Sequence, residues 1–132
     1  MITKTALIID DDWPMLEIVK TILEDEGYTA YTAYSGQQGL YIALEQKPAI
    51  IILDRHMPTM DGNEVLKKLK CNRETATIPV IMLTGENKID EVKSSIAFGA
   101  NAYIIKPFKA KDFARKVEKV LLESAKATHQ KS

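Results

Sequence analysis

Charged and hydroxyl-bearing side chains stand directly after short apolar runs in this 132-residue chain. Asp10, Asp11 and Asp12 follow the first run, and Asp54 follows the third. Three or more carboxylates cannot all stay ionised in a partly buried pocket without a cation. Because no His or Cys clusters with them, these hard oxygen ligands indicate Mg²⁺ or Mn²⁺ rather than zinc.

Two further groups complete the pattern: Thr84 after the fourth apolar run and Lys106 after the fifth. An ammonium, a hydroxyl and a divalent cation together can stabilise a phosphoryl group during transfer to a carboxylate. The sequence around Asp54, taken alone, fits a catalytic carboxylate and a residue that merely caps the loop equally well. The phosphoryl chemistry therefore requires that the ends of several strands meet at one edge.

The apolar runs have the length and composition of buried parallel strands. The predicted strands occupy residues 5–9, 28–33, 50–53, 79–83 and 102–105; the second of them alternates along its length, and each strand is followed by apolar residues at helical spacing. Asp12 before Trp13-Pro14 predicts a helix start, and Asp61-Gly62 predicts another. Trp13 itself is compatible with a partly exposed position beside the aspartates and equally with a core anchor.

Strict alternation of strand and helix predicts an α/β fold, a doubly wound five-stranded parallel sheet with five helices on its two faces. In such sheets the carboxyl ends of the strands form the ligand-binding edge. We expect one domain over residues 1–124 and a polar tail over residues 125–132.

The composition narrows the class of protein. Hydrophobic residues make up 45% of the chain, and 18 basic residues balance 18 acidic ones. This balance argues against nucleic-acid binding by bulk electrostatics. Cys71 is the one cysteine, which fits a reducing, cytoplasmic setting. We expect neither a signal peptide nor a membrane span.

Four motifs in order at the strand ends carry a family resemblance. They are IIDDD at 8–12, LDRHMPTMDG at 53–62, PVIMLTG at 79–85 and AYIIKPF at 102–108. On these motifs the chain resembles the receiver domain of two-component response regulators, the phospho-aspartate switch family that includes chemotaxis regulators. The resemblance covers residues 4–122 and implies a flavodoxin-like sheet of order 2-1-3-4-5, for which a chemotaxis regulator is a standard example.

The resemblance assigns roles to the residues of the predicted edge. Asp54 is implied to accept the phosphoryl group, and Lys106 to pair with it. Asp10, Asp11 and Asp54 are implied to hold Mg²⁺, with Mn²⁺ as an alternative, together with the backbone carbonyl of His56.

The output of the switch is also implied by the resemblance. Thr84 hydrogen-bonds the phosphoryl group and Tyr103 follows it inward, which changes the face formed by the fourth helix, fifth strand and fifth helix. A cis peptide bond is implied before Pro107. The implied partners are a histidine kinase or histidine phosphotransfer protein and a downstream effector protein or output domain. The face around Tyr103 either forms a phosphorylation-dependent dimer or binds a different protein. No direct nucleic-acid or membrane binding is expected.

Several functions compete for this sequence. A signalling switch that catalyses only its own phosphorylation and dephosphorylation fits all four motifs. It is either a naturally single-domain regulator or the receiver of a larger one with a DNA-binding or enzymatic output. An unphosphorylated scaffold has little support, since no acidic, Thr or Lys position is missing. A flavin carrier fits poorly because Asp10 to Asp12 would repel a phosphate, and an aspartyl phosphatase would need an acid where His56 stands.

Overall fold

The computed structural model describes residues 4–58, 60–85 and 89–130. Strands and helices alternate along the whole of this range. In chain order they are β1 (Thr5–Ile9), α1 (Trp13–Asp25), β2 (Thr29–Ala33), α2 (Gly36–Gln46), β3 (Ile50–Asp54), α3 (Gly62–Cys71), β4 (Val80–Thr84), α4 (Ile89–Ala97), β5 (Ala102–Ile105) and α5 (Ala110–Gln130). The predicted α/β class is confirmed, and part of the predicted tail continues α5.

All five strands pair in parallel in the order β2-β1-β3-β4-β5. The order implied by the family resemblance is therefore confirmed. Successive side chains of a strand point to opposite faces of the sheet, and here both faces are covered.

The buried core forms two layers, one on each face of the sheet. Ile8, Ile52 and Ile104 belong to the layer that packs against α1 and α5. Leu53 and Met82 belong to the layer that packs against α2 and α3. This arrangement explains the uninterrupted apolar runs, because both faces of each inner strand are removed from water.

The alternation of side chains continues past the strands and sorts the polar groups by face. Asp10, Asp54 and Lys106 each lie two residues beyond Ile8, Ile52 and Ile104, whose side chains share the α1 and α5 face. A two-residue step in a strand returns to the same face. The fold thus places two carboxylates and an ammonium on one side of the edge.

Candidate phosphoryl-acceptor site

A cluster of carboxylates lies at the carboxyl edge of the sheet. One carboxylate oxygen each from Asp10, Asp11 and Asp54 lies within 4.8 Å of the others. Asp10 is 1% exposed and Asp54 is 4% exposed, whereas Asp11 faces solvent. The edge therefore combines two buried carboxylates with one that is open to water.

Backbone hydrogen bonds align the strand ends that carry these groups. The N–H of Asp10 donates to the Ala33 carbonyl (3.1 Å), and that of Arg55 donates to the Leu83 carbonyl (2.9 Å). The N–H of Lys106 donates to the Thr84 carbonyl (2.7 Å). The sheet ladder thus extends one residue beyond β1, β3 and β5, and the functional side chains start from a fixed backbone.

Burial makes the two inner carboxylates reluctant to ionise. It raises the pKa of Asp10 to about 6, and the nearby Asp54 charge adds to this, although the Asp12 N–H opposes it by donating to Asp10 Oδ1 (2.9 Å). Burial also raises the pKa of Asp54, which Lys106 and a hydrogen bond from the His56 backbone partly counteract. In the absence of a metal ion, simultaneous ionisation of several carboxylates in this cluster is therefore unfavourable.

Lys106 supplies the counter-charge. Its Nζ lies 3.2 Å from Asp54 Oδ1, and its side chain is 23% exposed. The following peptide bond to Pro107 is cis, as the resemblance implied. Beyond it, the Phe108 ring packs against the Phe113 ring of α5, with the two ring centroids 4.9 Å apart. This contact attaches the segment after Lys106 to the core.

The donor set fits a hard divalent cation. Asp10 Oδ2 is buried, and residues 4–58, 60–85 and 89–130 offer it no hydrogen-bond partner. A buried carboxylate oxygen without a partner is costly, and a cation would satisfy it. Carboxylate oxygens at one solvent-accessible edge suit Mg²⁺ or Mn²⁺, which retain water ligands.

The start of α3 lies close to the end of β3. Asp61 is the N-cap of α3, and its Oδ1 accepts from the Asn63 N–H (2.8 Å). A Cβ at Gly62 would clash with the Asp54 carbonyl oxygen and lie 2.8 Å from Arg55 Cα. Glycine is therefore required here for close backbone approach. His56 lies in this loop with its side chain exposed.

Thr84 and Tyr103 lie on the opposite side of the sheet from Lys106. Thr84 is 6% exposed and ends β4, two residues after Met82 of the α2 and α3 layer. Tyr103 pairs in register with Met82 and packs against the same layer. It is half-buried on the edge strand, with Lys116 Nζ of α5 5.7 Å from its ring centroid. Tyr103 therefore does not join the carboxylate cluster.

Some contacts near the site were not anticipated from the sequence. Trp13 is 54% exposed and stacks on Tyr34 at 5.2 Å, so the core-anchor alternative is wrong. Asp12 occupies the N-cap position of α1 as predicted, but its side chain makes no capping hydrogen bond. Arg55 pairs through Nη1 with Asp61 Oδ1. In the sequence, this pair is indicated only by Arg55 directly after Asp54 and by an acidic residue, Asp61, six positions after Arg55.

Comparison with known proteins places the chain in a family. The profile of the response regulator receiver domain matches residues 6–118. The phosphate regulon transcriptional regulatory protein PhoB of Pseudomonas aeruginosa is 36% identical over 121 residues, which cover 92% of this chain and 53% of that protein. The chain spans about half the length of the curated relatives it matches.

Solved structures agree with this match. A CheY-like receiver domain protein from Methanospirillum hungatei has a TM-score of 0.88 at 34% identity, covering 95% of this chain and 98% of that one. NtrX from Brucella abortus has a TM-score of 0.91 at 28% identity, covering 98% of this chain but 29% of that one. The chain belongs to the response regulator receiver domain family, and it is thus a signalling switch domain of the two-component type.

Hydropathy gives one further result. Among the described residues, no helix has both the length and the apolar character needed to cross a lipid bilayer.

Proposed function

We propose that Asp54 accepts a phosphoryl group from a phosphohistidine of a histidine kinase or histidine phosphotransfer protein. One observation carries the proposal: the buried Asp54 carboxylate lies 3.2 Å from Lys106 Nζ and within 4.8 Å of the Asp10 and Asp11 oxygens. A carboxylate with a cation on one side and metal-ligating acids on the other has the surroundings that a phosphoryl acceptor needs.

The transfer replaces one bond to phosphorus by another. A carboxylate oxygen of Asp54 attacks the phosphorus, the P–O bond forms as the P–N bond breaks, and the imidazole nitrogen departs with the electron pair. Lys106 favours the ionised form of Asp54, in opposition to burial, and then pairs with a phosphoryl oxygen. Later attack by water releases inorganic phosphate and restores the carboxylate. No outside substrate is converted.

Asp10, Asp11 and Asp54 would hold Mg²⁺, or Mn²⁺, with the backbone carbonyl of His56 as a further ligand. When bound, the cation neutralises charge on the phosphoryl oxygens during transfer. Asp10 Oδ2, which has no hydrogen-bond partner among the described residues, supports this assignment. Asp11, which faces solvent, provides the ligand where a hydrated cation would enter.

The phosphoryl state is passed on through Thr84 and Tyr103. Thr84 hydrogen-bonds the phosphoryl group, and Tyr103 repacks toward it, which alters the face formed by α4, β5 and α5. Their shared side of the sheet supports this coupling. The altered face binds an effector protein or output domain, or a second copy of the chain as a phosphorylation-dependent dimer.

A larger regulator is the second candidate. Three curated relatives are about twice as long as the matched segment, and each is named as a transcriptional regulator. In that case the domain, residues 1–124, would control a DNA-binding or enzymatic output. In either case we propose a cytoplasmic location, which the single cysteine supports.

The proposal is tested with Mg²⁺ and beryllofluoride, a stable mimic of a bound phosphoryl group. Trp13 adjoins the acidic cluster, so its fluorescence is expected to respond in the wild-type chain. Asp54→Asn should abolish the beryllofluoride response while retaining weakened Mg²⁺ binding. An equal response in both proteins would contradict the role of Asp54, and a protein that never responds would be the unphosphorylated scaffold.

A further inference from the structure

The loop between β3 and α3 is closed by an ion pair between Arg55 and Asp61. Arg55 Nη1 donates to Asp61 Oδ1, and the same oxygen accepts from the Asn63 N–H at 2.8 Å. The Arg55 carbonyl also accepts from the Gly62 N–H at 3.0 Å. One carboxylate oxygen thus joins the first residue of the loop to the first turn of α3.

The end of β3 and the start of this loop carry two of the proposed cation ligands. Asp54 precedes Arg55, and His56 follows it. The His56 backbone N–H hydrogen-bonds the Asp54 carboxylate, and its carbonyl is the proposed backbone ligand. His56 therefore lies, along the chain, between the two residues that the ion pair joins.

An arginine at position 55 is not explained by stability alone. Its side chain is 13% exposed, and its buried Nε finds no hydrogen-bond acceptor in the described part of the chain. A buried donor without an acceptor costs folding free energy, which an apolar side chain of similar volume would avoid. Its paired partner Asp61, by contrast, is 52% exposed.

We propose that Arg55 is a positioning residue that, by clamping Asp61, orients the loop ligands and so raises the affinity of the site for its divalent cation. The inference rests on the proposed function, because that function defines the cation site. Groups that orient metal ligands typically change metal affinity by about 10- to 100-fold when they are removed.

The sign of the effect separates a clamp from simple electrostatics. Removing the positive charge of Arg55 beside a cation site would, by Coulomb's law alone, tighten Mg²⁺ binding. Removing the clamp would weaken it. For Asp61→Asn both effects weaken binding, and the asparagine oxygen still caps α3. The arginine variant is therefore the decisive one.

The test is a Mg²⁺ titration of the full chain, followed by Trp13 fluorescence and by calorimetry. Arg55→Met and Asp61→Asn are each expected to raise the Kd for Mg²⁺ by about tenfold. The double variant should be no weaker than the single ones, because both remove one interaction. Lys47→Met is the matched control, since it breaks the exposed Lys47–Glu74 ion pair at the other end of the sheet.

Each result has a defined meaning. Arg55→Lys keeps the charge and is expected to give an intermediate Kd, which provides the measurement even if the methionine variant folds poorly. If both Arg55 variants bind Mg²⁺ as tightly as the wild type or more tightly, the inference is overturned. That result would leave the proposal that Asp54 is the phosphoryl acceptor standing. If the wild-type chain binds no Mg²⁺, the proposed function itself fails, and this inference with it.

Discussion

Lys106 Nζ lies 3.2 Å from Asp54 Oδ1, although the two residues are 52 positions apart and their strands are separated by β4. Each side chain starts two residues beyond a core isoleucine on the same face of the sheet. The pair therefore follows from the strand order and the two-residue repeat of a strand. It also partly offsets the burial that raises the pKa of Asp54.

Removal of this ammonium should impair the chemistry without unfolding the chain. Lys106→Met is expected to slow phosphoryl incorporation from a small phosphodonor by roughly 100-fold, since it removes a preorganised charge from the transferred group. The rate is measured with a radiolabelled donor in the presence of Mg²⁺. Lys109→Met, at an exposed position three residues away, should leave the rate unchanged. Equal rates in the two variants would exclude a role for Lys106 in transfer.

The raised pKa of Asp10 predicts how stability depends on pH in the absence of metal. Since burial raises that pKa from 3.8 to about 6, the folded state binds the proton more tightly than the unfolded state. The stabilising contribution is therefore fully present below pH 3.8 and is lost as the pH rises through about 6. The raised pKa of Asp54 acts in the same direction.

Asp10→Asn isolates this effect. The amide keeps an oxygen for the Asp12 N–H but carries no charge, so the metal-free variant should be more stable at neutral pH. The expected gain is on the order of 3 kcal/mol, because the pKa rises from 3.8 to about 6 and each unit of pKa difference corresponds to about 1.4 kcal/mol. Urea unfolding with a chelator present provides the measurement. A variant that is less stable than the wild type at neutral pH would show that Asp10 is not strained by burial.

A buried polar contact joins α3 to α4 and should govern local stability. The Ser95 hydroxyl donates to Asn63 Oδ1 (3.1 Å), and both residues are less than 10% exposed. Asn63→Ala leaves that hydroxyl without its acceptor and should cost about 1–3 kcal/mol. Replacing both partners with apolar residues, as in Asn63→Leu with Ser95→Ala, should be nearly neutral.

The comparison is made by urea unfolding of the same set of proteins. Ser94→Ala is the control, because Ser94 is less buried and contacts Asn63 Nδ2 only at 3.4 Å. Its effect should stay within about 0.5 kcal/mol. If the double variant is as unstable as Asn63→Ala, the contact stabilises the helix pair by more than mutual satisfaction of two polar groups.

Thr84 should transmit the phosphoryl state more than it assists transfer. Thr84→Ala removes one hydrogen bond worth about 0.5–1.5 kcal/mol, so incorporation should slow by about tenfold or less. Beryllofluoride should shift the amide resonance of Tyr103 in the wild type but not in this variant. Resonances near Asp54 should shift in both proteins. A Tyr103 shift that survives the substitution would remove Thr84 from the switch.

Much of the fold follows from the sequence because the determining signals are local. Four of the strands are short apolar runs and β2 alternates, and the observed bounds of all five differ from the predicted ones by no more than one residue. Asp54 and Lys106 could be assigned to one edge because parallel strands end together. Which face each side chain takes could not be decided from runs that are apolar at every position, and the structure resolves this through the two core layers.

Contacts that depend on loop geometry could not be predicted from the sequence. The Arg55–Asp61 ion pair depends on the close backbone approach that Gly62 permits, and the spacing of the two residues alone does not imply it. The burial of Asn63 could be predicted from the sequence, since it lies three residues before Leu66 and thus on the buried face of α3. A polar residue at such a position indicates a buried partner, but the identity of Ser95 depends on how α4 packs.

Site-specific phosphoryl incorporation tests the central claim most directly. Wild-type chain, Asp54→Asn and Asp12→Asn are incubated with Mg²⁺ and a radiolabelled small phosphodonor, and bound label is quantified. Asp12 is the matched control because it adjoins the cluster, faces solvent and makes no side-chain cap. The wild type and Asp12→Asn should become labelled and Asp54→Asn should not. Labelling of Asp54→Asn at the wild-type rate would contradict the assignment of Asp54 as the phosphoryl acceptor.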